Sequence, residues 1–118
     1  MKIQKDYTKN VVEDSLNSLT RKEGQFYKGT LRQRQVLETE QSIIILGDVE
    51  FGATVVSKGN IVVLGAVRGT VHAGATGDRN AFITALSMRP HVMKIADIVS
   101  THTYLQDETV RPSIARLD

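Results

Sequence analysis

The 118-residue chain has no cysteine, no tryptophan, two prolines and only 5% aromatic residues. Without cysteine there is no disulfide framework, no thiolate metal site and no cysteine nucleophile. Long apolar runs are missing too. The longest, Ile43 to Leu46, is far short of the roughly 20 residues a membrane-spanning helix needs. The first residues, Met1-Lys2-Ile3-Gln4-Lys5-Asp6, lack the apolar stretch of a secretory signal. These absences predict a soluble, cytoplasmic protein. Neither sign of charge dominates: fifteen Lys and Arg face thirteen Asp and Glu, a formal net charge of +2. Nucleic-acid binding is not expected from so even a balance.

What is present is a hydrophobic fraction of 41%, sufficient for one modest core in one domain, and an internal repeat. Ile43-Ile44-Ile45-Leu46-Gly47-Asp48-Val49 recurs as Ile61-Val62-Val63-Leu64-Gly65-Ala66-Val67, 18 positions later. Stepping back by the same interval reaches Phe26-Tyr27-Lys28-Gly29-Thr30-Leu31. Gly29, Gly47 and Gly65 therefore share a register, as do Leu31, Val49 and Val67, and Leu37 with Val55. A helix-pair repeat needs about 33 to 47 residues. The runs are rich in β-branched residues and punctuated by glycine, which suits short strands and sharp corners. Three strands per 18 residues predict an all-β fold, a right-handed triangular parallel β-helix of about three to four coils. Stacked coils bury one another's inward faces, which a single coil cannot do.

The register is lost after Val71. The small-residue stretch His72 to Asn80 reads as an insertion in the third coil, with strands expected again at Ala81–Leu86 and Met93–Val99. Residues 1–25 read as a polar linker, poorly ordered or a marginal helix in which Val11, Val12, Leu16 and Leu19 have helical spacing. Residues 26–118 read as the β-helix domain, ending from Asp107 in an extended strand or frayed tail.

The stretch Gly47-Asp48-Val49-Glu50-Phe51-Gly52-Ala53-Thr54-Val55, continued by Gly59-Asn60-Ile61-Val62-Val63-Leu64-Gly65-Ala66-Val67-Arg68-Gly69 and Ala73-Gly74-Ala75-Thr76-Gly77-Asp78-Arg79, resembles the C-terminal domain of MinC-type division-site inhibitors. The likeness covers roughly Tyr27 to Val99. It implies a β-helix that forms a homodimer, binds the membrane-associated ATPase MinD in its ATP-bound state and contacts the C-terminal tail of FtsZ. It implies no cofactor, and contact with the membrane only through MinD, at the inner face. The family's N-terminal domain has no counterpart here, so the resemblance also suggests a fragment trimmed at both ends. The family's MinD-binding signature, Arg-Ser-Gly-Gln, falls on Arg32, Gln33, Arg34 and Gln35. Its inner two positions differ, and Arg34 replaces a glycine that suits a left-handed corner. Phe51 stands where the family usually has proline.

Other candidates point elsewhere. Phe82, Ile83, Leu86, Met88, Met93 and Ile95 exceed the apolar needs of a last coil, and suggest a self-complementary dimer face as an alternative to core and end cap. His72 could act as the general base of a hexapeptide-type acyltransferase, but that chemistry needs more coils. His91 and His102 have no partners at metal-ligand spacing. Gly74–Arg79 lacks the Gly-Lys-Ser/Thr ending of a phosphate loop, and reads as a turn in which Asp78 bonds its own backbone. Asp48 and Asp78 make no defensible acid–base pair. No catalytic constellation emerges. The runner-up to the binding module is a self-polymerising β-helix of bactofilin type.

Overall fold

The computed structural model describes residues 1–7, 10–19, 24–100 and 111–118. Their elements are β1 (Ile3–Asp6), α1 (Val11–Ser18), β2 (Gly24–Lys28), β3 (Val36–Thr39), β4 (Ser42–Leu46), β5 (Thr54–Ser57), β6 (Ile61–Val67), β7 (Thr70–Ala73), β8 (Ile83–Met88), β9 (Val92–Ile95), β10 (Ile98–Val99) and β11 (Ser113–Leu117). Eight of these strands wind into a four-coil solenoid. Strands β2, β4, β6 and β8 stack in parallel on one side, and β3, β5, β7 and β9 on another. The third side is a ladder of single residues, Leu31 to Val49 to Val67. Leu31 N–H donates to the Asp48 carbonyl at 2.9 Å, and Val49 N–H to that of Ala66 at 2.9 Å.

The 18-residue step is the literal register of this stack. Ile43 pairs with Ile61, Val36 with Thr54, and Gly24 with Ser42. Alternate residues point inward and meet their repeats above and below. Ile45, Val49, Val55, Ile61, Val63, Val67 and Val71 are fully buried in one column, each worth roughly 1.5–3 kcal/mol of transfer free energy. The glycines at 29, 47 and 65 stack on one another so tightly that a Cβ on Gly47 would overlap the Gly29 carbonyl, and one on Gly65 that of Gly47. Glycine recurs there because strand spacing leaves no room for a side chain at that corner.

Two departures from the period shape the surface. The third coil is two residues short at one corner, so that Thr54 pairs with Thr70. It is six residues long at the next, around the expected insertion, so that the whole coil runs four over the period and Ile61 pairs with Ile83. The segment Met93–Val99 is not one strand, as the sequence suggested. It folds back as the antiparallel pair β9–β10 through a turn at Ala96, whose φ is +54°.

Residues 1–25, expected as linker or marginal helix, contribute β1 and α1. Strand β11 adds antiparallel to β8, and β1 adds antiparallel to β11. Helix α1 lies on the outer face of the first sheet. Leu19 packs there with Ile44 and Val62, and Leu16, Leu46, Leu64 and Phe82 pack around them. Buried Ser15 Oγ and Thr84 Oγ1 lie 2.6 Å apart, joining helix to sheet. Glu13 and Asp14 occupy the first turn, favourable toward the helix dipole. Eight residues make a marginal helix in isolation, so this packing is what holds it. No helix among the described residues is long and apolar enough to cross a membrane.

Candidate partner-binding corner

Arg32 to Gln35 form the corner between the third side of the first coil and β3, and all four side chains are exposed. The corner is closed on itself. Arg32 N–H donates to Gln35 Oε1 at 2.6 Å, and Gln35 N–H donates to the Arg32 carbonyl at 3.0 Å. It is also braced against the second coil: Arg34 N–H donates to the Gly52 carbonyl at 3.0 Å, and the Gln35 carbonyl accepts from Thr54 N–H at 2.9 Å. Arg34 sits at φ +73°, the left-handed conformation expected of the position where the family has glycine. Its equivalent in the next coil, Gly52, has φ +91°. A Cβ on Gly52 would fall 2.6 Å from Gln33 Cγ, so the glycine makes space for that side chain.

The 18-residue step turns this corner into a vertical strip. Arg32 pairs with Glu50 at 3.4 Å. Arg68 is exposed one coil further on, and Arg89 N–H donates to the Val67 carbonyl at 2.9 Å in the coil after that. Arg89 Nε is shielded from water with no hydrogen-bond partner among the described residues. Four arginines and one glutamate thus line the strip, with exposed Phe51 and His91 beside them. The sequence signalled Arg32–Gln35 only through resemblance. Glu50 and Arg68 are legible from the period, whereas Phe51 with His91 went unmarked as a pair.

The other candidates take structural places. Ile83, Met88, Met93 and Ile95 are 0–3% exposed, turned into the solenoid core. They cannot line a protomer's surface, which corrects the proposed dimer face. Alternation along β8 leaves Phe82 half-buried and Leu86 38% exposed on the outer side. His72 Nε2 lies 2.9 Å from the Ala96 carbonyl, tying β7 to the β9–β10 turn. Asp48 Oδ1 accepts from Ala66 N–H at 2.7 Å, where the β6 register shifts. Asp78 Oδ1 accepts from Asn80 N–H at 2.9 Å, an Asx-type turn within the Gly74–Arg79 loop. His102 lies outside the described residues. The bidentate pair of Arg79 with Asp97, at 3.2 and 2.8 Å, clamps that loop to the β9–β10 turn. The hydrogen bonds from Arg79 hold the Asp97 carboxyl below its ordinary range and raise the guanidinium above its own.

Residues 25–117 match the family described as septum formation inhibitor MinC, C-terminal domain. A probable septum site-determining protein MinC from Caldanaerobacter subterraneus subsp. tengcongensis is 40% identical over 115 residues, covering 97% of this chain and 54% of that protein. Its counterpart in Agathobacter rectalis is 53% identical over 76 residues, 64% of this chain and 31% of that protein. The chain thus spans about a third to a half of the length of these curated relatives. Among solved structures, a chain of the MinC:MinD cell division protein complex of Aquifex aeolicus superposes with a TM-score of 0.74. It is 35% identical, with 80% of this chain and 78% of that one covered. The four-coil solenoid, its stacked glycines and these matches agree: the chain belongs to the family of MinC C-terminal domains.

Proposed function

We propose that the chain is a non-catalytic recruitment module of the division-site machinery. In this reading residues 26–118 form a homodimer that binds an ATP-bound, membrane-associated MinD, which brings the module to the inner face of the membrane. There it contributes to inhibiting FtsZ assembly, in part through the FtsZ C-terminal tail. The observation that carries the MinD contact is the Arg32–Gln35 corner. It is exposed, closed by its own hydrogen bonds and braced on the second coil, in a chain similar to one from a MinC:MinD complex. A pre-ordered polar corner loses little side-chain freedom on binding, and arginine with paired amides suits a wet contact with carboxylates and backbone.

For the dimer, the outer face of the first sheet supports the reading. Beyond the part that helix α1 covers, Phe26 is 67% exposed and Leu86 38% exposed, with half-buried Leu46 and Leu64 on the strands between them. Antiparallel β11 against β8 and β10 against β9 close one end of the coil stack. That closure favours discrete assemblies over a filament grown coil upon coil.

The test is vesicle co-sedimentation with a cognate MinD in ATP and in ADP, beside an Arg32→Ala variant. ATP-dependent recruitment, lost in the variant, is the expected outcome. Equal or absent recruitment under both nucleotides would overturn it.

A further inference from the structure

The shortened corner of the third coil has a consequence for the surface above it. Only Arg68 and Gly69 separate the Val67 bridge from β7, and Gly69 is pressed against the Glu50 and Ala53 carbonyls, 2.5 Å from each if it bore a Cβ. Gly69 is buried and offers no side chain to stand between the second and fourth coils, and Phe51 of the second coil meets His91 of the fourth there. The Phe51 ring centroid lies 5.0 Å from that of His91, with the planes at 68°, an edge-to-face contact between residues 40 positions apart in sequence. Even so, Phe51 remains 61% exposed.

We propose that Phe51, held by His91, is an aromatic anchor within the MinD contact, seating an apolar side chain on a partner surface otherwise lined with carboxylates. The proposal rests on the corner reading above. Three observations point the same way. Phe51 belongs to the strip that begins at Arg32: its neighbour Glu50 bonds the Arg32 guanidinium, and Gln33 lies against Gly52 on its other side. The strip carries four arginines against one glutamate, which fits an acidic partner. Arg89, half-buried with an unmet Nε donor, gains more from a nearby carboxylate than a fully solvated arginine does. Rigid aromatics flanked by arginine are the composition of interface hot spots. The ring contact with His91 restricts Phe51 before binding, so less freedom is lost when the partner arrives.

The experiment measures the affinity of the full chain for cognate MinD in ATP. It compares wild type with Phe51→Ala, Phe51→Leu, His91→Ala, the Phe51→Ala/His91→Ala double variant and Arg32→Ala, each with its melting temperature and light-scattering mass. Phe51→Ala is expected to raise Kd about tenfold or more, and Phe51→Leu less. His91→Ala should weaken binding several-fold, and the double variant no further than Phe51→Ala, because His91 acts through the ring. Melting temperatures should barely move, since the ring is exposed. Wild-type affinity in Phe51→Ala, with binding lost in Arg32→Ala, would overturn the anchor and leave the corner reading standing. A fall in dimer mass with MinD affinity unchanged would assign the ring to a second copy, and also overturn it. Absence of binding by the wild type would overturn both readings.

Discussion

If stacked glycines set the coil spacing, one methyl group at Gly65 should cost more than its size suggests. Gly65 is not in the left-handed region, so replacement by alanine carries no backbone strain of its own. Its Cβ would overlap the Gly47 carbonyl oxygen, lie 2.7 Å from the Gly47 carbonyl carbon and crowd Asp48 Oδ1. Backbone atoms of a neighbouring coil cannot rotate aside. Relief therefore requires the second and third coils to part. The nearest ties are Ala66 N–H to Asp48 Oδ1 at 2.7 Å and Val49 N–H to the Ala66 carbonyl at 2.9 Å. Overpacking costs about 1–3 kcal/mol where side chains can adjust, and loosening two hydrogen bonds adds about 1 kcal/mol each. We expect Gly65→Ala to destabilise by about 3–5 kcal/mol, a large share of the roughly 5–15 kcal/mol typical of a domain.

Gly77→Ala isolates the conformational part of the effect. Gly77 has φ +108° with nothing within 4 Å of where a Cβ would stand, so its replacement should cost only about 1–2 kcal/mol. Thermal melting by far-UV circular dichroism, with urea titration alongside, compares the two. At about 3–5 °C per kcal/mol for a domain of this size, Gly65→Ala should melt roughly 10–25 °C lower and Gly77→Ala about 3–10 °C lower. A Gly65→Ala protein melting within a few degrees of wild type, or no lower than Gly77→Ala, would refute the close stack as a determinant of stability.

Arg34→Gly should raise stability by up to about 1 kcal/mol, because the side chain at φ +73° pays a left-handed cost that glycine does not. Urea titration checks it, and an unchanged or lower midpoint would count against strain at this corner. The Arg79–Asp97 pair predicts an acid-side dependence. Because the folded Asp97 value is depressed, its contribution is present above the unfolded value of about 3.9 and is lost as pH falls through the lower folded one. Arg79, raised when folded, loses its share only in strong alkali. The melting difference between wild type and Asp97→Asn should therefore be present at pH 7 and close toward pH 3, shrinking in high salt as an exposed pair does. A difference unchanged across that range would contradict the assignment.

The solenoid is legible in this sequence where the period holds, because inward positions and stacked corners admit few residue types. Gly29, Gly47 and Gly65, and Leu31, Val49 and Val67, announce in one dimension the contacts they make in three. Legibility stops where the period changes. The two-residue deficit before Thr70 leaves no compositional trace, and the β9–β10 turn uses Ala96 at φ +54° where a glycine would have marked it. Strand β1 contains one buried apolar residue, Ile3, and pairs with Leu117 at the far end of the chain, a contact no local pattern encodes. The surplus of apolar residues from Phe82 onward was real. What the sequence could not assign was the face of each, and core positions claimed Ile83, Met88, Met93 and Ile95.

Surface chemistry in such a fold follows from the same arithmetic. Any outward residue has as neighbours the residues one period before and after it, so charges placed 18 apart become partners without touching the core. Arg32 with Glu50, and Lys58 with Glu40 at 2.6 Å, obey this spacing, whereas Arg79 and Asp97 meet through the inserted loop, where the step between coils is 22 residues. Outward residues can therefore change along a corner strip while the inward ladders stay fixed, as with Gln33 and Arg34 where the resembled signature has Ser and Gly. Where a coil is shortened the rule fails, and residues two coils apart meet, as Phe51 and His91 do across Gly69. A substitution in the strip should thus be judged against its neighbours one period away. Near Gly69 the neighbour to consider lies two coils distant, which is why the affinity of Phe51→Ala cannot be inferred from the corner of the first coil alone.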